Sequence, residues 1–180
     1  VIVSTIPTGV IGILFKDTVE LAGTMLVVPG ICLLITSVFL VIADYADEGT
    51  KRPREASYVN AGLIGVAQGI ATMPGLSRSG TTITACLLCG FEKKFAVKYS
   101  FIMSIPAVLG AVVLELKDVA KAPLQASAVP ACAVATVISA IVGYLSICIM
   151  MRLIQGKKYK IFAVYCAIVG LITVGYGIFR

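Results

Sequence analysis

The chain has 180 residues, 59% of them hydrophobic and only 13% charged, with a formal net charge of +6 and a mean hydropathy of +1.02. A soluble domain carries about a quarter of its residues as charges, and here the apolar residues fall in runs of membrane-spanning length, so a soluble enzyme is excluded. The runs are continuous rather than alternating, which excludes a β-barrel, and the basic residues sit in short loops between runs, which suits anionic lipid rather than nucleic acid.

Six apolar stretches follow one another at 1–15, 24–43, 59–90, 95–115, 127–151 and 159–179, joined by short loops at 16–23, 44–58, 91–98, 116–126 and 152–158. The pattern predicts an all-α, polytopic membrane helix bundle forming a single integral membrane domain over 1–180. The first stretch is apolar from Val1, with no basic segment before it and no small-residue cleavage pattern after it. It therefore reads as the tail of a helix rather than a signal peptide, and the chain as a piece of something longer.

The third stretch is interrupted. Residues 59–73 carry Gly62, Gly65 and Gly69 at spacings that put them on one helix face, where a second helix can approach closely. Pro74-Gly75 then stops the helix, and after Leu76-Ser77-Arg78-Ser79-Gly80 a second apolar run starts with Thr81 and Thr82. Each half is too short to cross about 30 Å of hydrocarbon.

The basic residues decide how the halves are arranged. If 59–90 is a re-entrant pair, one side of the membrane holds ten of them (Lys51, Arg52, Arg54, Lys93, Lys94, Lys98, Arg152, Lys157, Lys158, Lys160) and the other holds four (Lys16, Lys117, Lys121, Arg180). If the pair crosses, the sides hold six and eight. Only the first partition obeys the positive-inside rule. It makes the ten-charge side cytoplasmic, places the C-terminus outside, and puts Tyr45, Tyr58, Tyr99 and Tyr159 along one interface.

Later elements are plainer. Pro106 is expected to kink the span at 95–115. The six cysteines, Cys32, Cys86, Cys89, Cys132, Cys148 and Cys166, all lie in apolar runs. Cys86 and Cys89 have CxxC spacing, but no second pair lies nearby, the chain has no histidine, and zinc takes about four ligands. They read as small apolar packing residues.

Arg78 is the fifteenth basic residue and belongs to neither side. An arginine at the bilayer centre costs about 3 kcal/mol even on lenient scales, and irregular backbone is tolerated there only inside protein or against a water-filled cavity. A buried Arg78 needs a partner, and the nine acids all fall in loops or at span ends. An anionic ligand is the natural one. Gly75 and Gly80 would let backbone approach it, and Ser77, Ser79, Thr81 and Thr82 offer hydroxyls. The half-helix beginning near Gly80 offers free N–H groups and a positive dipole end. A guanidinium fork suits phosphate. Gln68, one or two turns before the break, is either a further ligand contact or an interhelical hydrogen-bonding group.

Pro74 to Ile83, with Gln68-Gly69 upstream, resembles the signature of the undecaprenyl-diphosphatase (bacitracin-resistance) family. Ile6-Pro7 with Gly9, the Phe15-Lys16-Asp17-Thr18 turn, Tyr99-Ser100-Phe101, Ile105-Pro106 and Gly110-Ala111 extend the likeness over essentially the whole chain. The resemblance implies a plasma-membrane hydrolase of the bacterial inner membrane that converts undecaprenyl diphosphate to undecaprenyl phosphate for cell-wall synthesis. It implies two inverted repeats with re-entrant pairs, the second of which is the pair seen here. Arg78, Ser77 and Ser79 are then the expected catalytic residues, with Gly75, Gly80, Thr81, Thr82 and Gln68 contacting substrate. A divalent cation, magnesium or calcium, is implied, but these residues offer no ligands for it. The first repeat is missing from the chain, so its 180 residues are expected to supply the phosphate-binding half of a site and to be inactive alone. The other reading of the same pocket is a lipid-phosphate binding or translocating protein that performs no hydrolysis.

Overall fold

Backbone polar groups in hydrocarbon have no water to bond, and a helix satisfies them within its own segment. The computed structural model, which describes residues 1–46, 49–119, 129–155 and 159–179, accordingly contains eight α-helices and no strand among those residues. They are α1 (Ile2–Leu14), α2 (Lys16–Thr24), α3 (Val27–Tyr45), α4 (Tyr58–Ile70), α5 (Arg78–Leu88), α6 (Lys93–Val119), α7 (Val129–Gln155) and α8 (Tyr159–Phe179). Four of them, α3, α6, α7 and α8, are long and apolar enough to cross a membrane, and α1 with α2 makes a fifth candidate bent by 61°. The chain is thus an all-α polytopic membrane bundle.

The stretch 16–23, expected as a loop, is the nine-residue helix α2. Its sequence supports this locally. Asp17 lies in the first turn, at the positive end of the helix dipole, and Lys16 Nζ reaches Glu20 Oε1 across one turn at 3.7 Å. Pro106 lies inside α6 without ending it. The six cysteines are all free thiols, with Cys32 and Cys86 buried.

The pair α4 and α5 enters and leaves on the same side. Lys51, ahead of α4, donates its N–H to Gly90 O at 3.0 Å, accepts from Glu92 N at 3.4 Å, and sends Nζ to Cys89 O at 2.9 Å. Gly90 ends α5 at φ +85°. Its N–H bonds Leu87 O at 2.8 Å, and Phe91 N bonds Cys86 O at 3.2 Å, a Schellman closure. At 13 and 11 residues, the two helices are about 20 and 16 Å long. Lys93 Nζ also reaches Asp44 O at 3.4 Å, and Lys160 Nζ stands 4.6 Å from the centre of the Tyr45 ring. Residues 44–46, 49–58, 89–93 and 159–160 therefore share one end of the bundle, as a re-entrant pair requires. Of the charges counted, Lys121, Lys157, Lys158 and Arg180 lie outside the described residues, as do the side chains of Lys117 and Arg152.

Close helix contacts use small residues, as membrane packing demands. A Cβ on Gly65 would stand 2.3 Å from Ser4 O, and one on Gly69 would stand 2.7 Å from Ile11 Cδ1, so both glycines face α1. Gly62, expected on the same contact, faces open space. The contact runs out towards the start of α4, because α1 crosses α4 along the Gly65–Gly69 turn. The α3–α8 pair is antiparallel, with Gly30 against Gly170 and Val174 and with Ser37 Oγ donating to Ala163 O at 2.8 Å. The buried core joins Ile83, Cys86, Leu87 and Phe91 of the hairpin to Leu40 and Ala43 of α3, Ala96, Val97 and Met103 of α6, and Tyr159 and Ala163 of α8. By contrast, α7 exposes its side chains from Val129 to Ile147.

Candidate functional site

The tip of the hairpin, residues 71–77, is docked at the middle of α3. Thr36 is the tenth of the nineteen residues of α3, and its Oγ1 donates to Gly75 O at 3.2 Å and accepts from Ser77 N–H at 2.9 Å. Gly75 takes φ +89°, a conformation that L side chains rarely adopt, and a Cβ there would fall 2.3 Å from Pro29 O. The break predicted from Pro74-Gly75 is therefore held against the middle of α3, with nine residues of that helix, about two and a half turns, on either side of Thr36.

Ser77 caps α5, its Oγ accepting from Gly80 N–H at 3.2 Å. Thr81 N–H and Thr81 Oγ1 both donate to Ser77 O at 2.9 Å. Among the described residues, the amides of Arg78 and Ser79 have no protein acceptor and are the free N–H groups of this helix start.

Beside that turn lies a cavity of about 490 Å³. Thr5, Thr8, Gly9, Gly12 and Ile13 of α1 form one wall, and Pro106, Ala107, Gly110, Ala111, Val113 and Leu114 of α6 form another. Gln68, Thr72 and Arg78 close the end. The small residues of the walls leave the chamber open, with nothing within 4 Å of a Cβ on Gly9, Gly12 or Gly110.

Arg78 borders this cavity but is exposed, not buried as the sequence suggested. The reason is its place on α5. Residues Gly80 to Thr84 are buried against α3 and α6, whereas Arg78 is the first residue of α5, and a side chain there leans back past the helix end, which spares the charge the cost of entering a packed interior. Among the described residues no carboxylate pairs with it, and the one ion pair there is Lys16–Glu20.

Two other expectations are corrected. Thr81 and Thr82 do not present hydroxyls to the cavity. Thr81 bonds back to Ser77 O, and Thr82, fully buried, bonds Arg78 O at 2.9 Å and the hydroxyl of Ser100 on α6. Their oxygens close the helix start and dock it on α6. Gly75 and Gly80 let backbone approach α3 rather than a ligand. Gly75 abuts Pro29, and a Cβ on Gly80 would stand 3.1 Å from Ser77 Oγ and 3.5 Å from Leu40 Cδ2.

Gln68 is 1% exposed, and its Nε2 makes a long 3.4 Å bond to Met103 O, while its Oε1 has no partner. A buried amide left half-satisfied at the edge of a cavity has bonding capacity for whatever fills it. Ser79, half-buried, stands beside Arg78 in the first turn. Thr36, Thr72 and the α1 and α6 walls were not singled out in the sequence. The small residues at 9 and 12 and at 107, 110 and 111 carry a helical spacing that could have marked the walls.

A divalent cation finds no home in these residues. Among the described residues there is no group of three or more His, Cys, Asp or Glu that could hold one, and the groups at the end of the cavity are a guanidinium, an amide and hydroxyls.

A hairpin that turns back beside the middle of α3, sets an arginine at the end of a chamber, and stands in a bundle of apolar helices defines a polytopic membrane protein with a candidate site at the hairpin tip. The chain belongs to the bacitracin resistance protein BacA family, whose profile it matches over residues 1–172. It is 43% identical over 176 residues to an undecaprenyl-diphosphatase of Methanosphaera stadtmanae, covering 97% of this chain and 62% of that protein. It is 39% identical over 174 residues to one of Halothermothrix orenii, covering 97% of this chain and 67% of that protein. An undecaprenyl-diphosphatase 2 of Bacillus thuringiensis is 39% identical over 174 residues, 96% of this chain and 63% of that protein. The chain thus spans about three-fifths to two-thirds of the length of these relatives.

Proposed function

We propose that this chain supplies the phosphate-binding part of a membrane diphosphatase site, and that the protein converts undecaprenyl diphosphate to undecaprenyl phosphate and inorganic phosphate. The observation that carries this reading is Arg78 at the first turn of α5, at mid-depth of the bundle and on the wall of a 490 Å³ cavity. The names of the relatives point to the same substrate.

In this reading the terminal phosphate lies across the start of α5. The guanidinium of Arg78 gives two parallel hydrogen bonds to its oxygens, and the amides of Arg78 and Ser79 with the positive end of the helix add fixed donors. The Ser79 hydroxyl and the proton of Ser77 Oγ, whose lone pair already receives Gly80 N–H, complete the ring. Gln68 Oε1, unpartnered at the same end of the cavity, accepts from a protonated phosphate oxygen or from water. When an oxygen of water bonds to the terminal phosphorus, the anhydride bridge breaks and its electron pair leaves with the lipid monophosphate. The water's proton leaves with phosphate. Charge that builds on the equatorial and bridging oxygens meets donors already in place, which is where such sites gain most of their rate. The apolar α1 and α6 walls take the first isoprene units of the tail.

The basic end of the bundle is assigned to the cytoplasm of a plasma membrane, which puts the end of α8 outside. The test is phosphate release from undecaprenyl diphosphate in detergent by the protein as the cell makes it. Arg78→Ala is expected to lower turnover by about 10² to 10³, and Arg78→Lys to restore part, since an ammonium lacks the fork. Unchanged release from Arg78→Ala would end the assignment. Translocation of a monophosphate lipid in liposomes, with no phosphate release from the diphosphate, would turn the pocket into a carrier site.

A further inference from the structure

We infer that Thr36 is a positioning residue for the phosphate-holding turn; the inference rests on the diphosphatase reading above. Most threonines of this bundle bond back to their own helix, even where Thr8 and Thr84 also donate to Gly65 O and Phe39 O and Thr82 meets Ser100 on a neighbouring helix. Thr8, Thr81, Thr82, Thr84, Thr136 and Thr173 each donate to the carbonyl four residues back. Thr36 does not. Its Oγ1 leaves α3 altogether, donating to Gly75 O at 3.2 Å and accepting from Ser77 N–H at 2.9 Å, partners 39 and 41 residues away. The residue is 1% exposed, and its partners at the tip are exposed at Gly75 and half-buried at Ser77.

The two bonds bracket Leu76 and hold the peptide groups on either side of it, 75–76 and 76–77, the second of which leads into Ser77, the cap of α5. Ser77 is half-buried, and among the described residues Thr36 is the acceptor of its N–H, so losing the hydroxyl leaves that donor without a protein partner. Ser77 in turn carries the capping hydroxyl, and Arg78 and Ser79 carry the free amides. The direction in which guanidinium and amides meet a phosphate is therefore set by a hydroxyl on a different helix, which touches no substrate. The methyl of Thr36 is dispensable for this and the oxygen is not.

The experiment is steady-state phosphate release from undecaprenyl diphosphate by the purified protein, reading kcat and KM separately. Thr36→Val keeps the shape and removes both bonds. A tilt of the turn by about an ångström should lower kcat about 10²-fold with KM changed less than about threefold, because the tail still binds the cavity walls. Thr36→Ser should stay within about twofold of wild type in kcat. Thr36→Cys, with a weaker donor and acceptor in the same place, should fall between them, and it stands in for the valine variant if that protein does not fold. In an Arg78→Lys background the Thr36→Val factor should shrink markedly, since the two residues act on one phosphate.

A serine variant as poor as the valine variant, a valine variant with wild-type kcat, or an undiminished factor in the Arg78→Lys background would each overturn the inference. An inactive Arg78→Ala alongside a fully active Thr36→Val overturns the role of Thr36 alone. A fully active Arg78→Ala overturns the diphosphatase reading, and this inference with it.

Discussion

Replacing Gly75 by alanine tests the docking of the hairpin tip without touching any group proposed to meet phosphate. The backbone at Gly75 has φ +89°, where an L side chain costs about 1–2 kcal/mol. The added Cβ would also sit 2.3 Å from Pro29 O and 2.9 Å from Pro29 C and Cα. These are backbone atoms of a spanning helix and cannot swing away like a flexible side chain, so the tip must lift from α3 by about an ångström to reach ordinary contact. Lifting it stretches the Thr36 bonds to Gly75 O and Ser77 N–H, now 3.2 and 2.9 Å, each worth about 1 kcal/mol. The expected loss is about 3 kcal/mol of stability, or a fall of about 10²-fold in turnover if the tip lifts while the rest stays folded. The assay is thermal unfolding in micelles together with phosphate release. Gly23→Ala serves as the control, because a Cβ there meets nothing within 4 Å and α2 should if anything gain slightly. If Gly75→Ala matches Gly23→Ala in both melting and turnover, the close docking of the tip on α3 is wrong.

Thr82→Val leaves the hydroxyl of Ser100 buried without its partner and should cost about 1–3 kcal/mol in unfolding experiments; the double change Thr82→Val with Ser100→Ala should recover part of it, because both polar groups are then gone. Single cysteines placed at Lys94 and at Gly23, in a chain otherwise free of cysteine, should label from opposite faces of sealed vesicles, Lys94 from the cytoplasmic face. Labelling of both from one face would refute the sidedness drawn from the basic loops.

The break in the third apolar stretch was legible because Pro74 and Gly75 disfavour helix wherever they stand. The return of the hairpin was legible because lysines and arginines partition by side of the membrane, a property of each loop taken alone. Both hold in the structure, where Lys51 meets Gly90. The place of Arg78 at the break was legible for a similar reason, since a charge between two helix breakers in an apolar run marks where the helix is interrupted. The helix α2 was missed because its polar residues, read as a loop, satisfy one another across a turn as Lys16 and Glu20 do.

Hydrophobic length, helix breakers and charge sidedness thus fix the all-α bundle, the re-entrant pair and the location of its arginine from the chain alone, because each acts through the residue and its immediate neighbours. Only the tertiary structure decides which hydroxyl serves which role. Thr81 and Thr82 turn inward to Ser77 and Ser100, Thr36 reaches out to Gly75 and Ser77, and Arg78 stands exposed at a cavity rather than buried. A hydroxyl takes its partner from whatever the fold sets opposite it, and for Thr36 that is the hairpin tip, 39 and 41 residues along the chain.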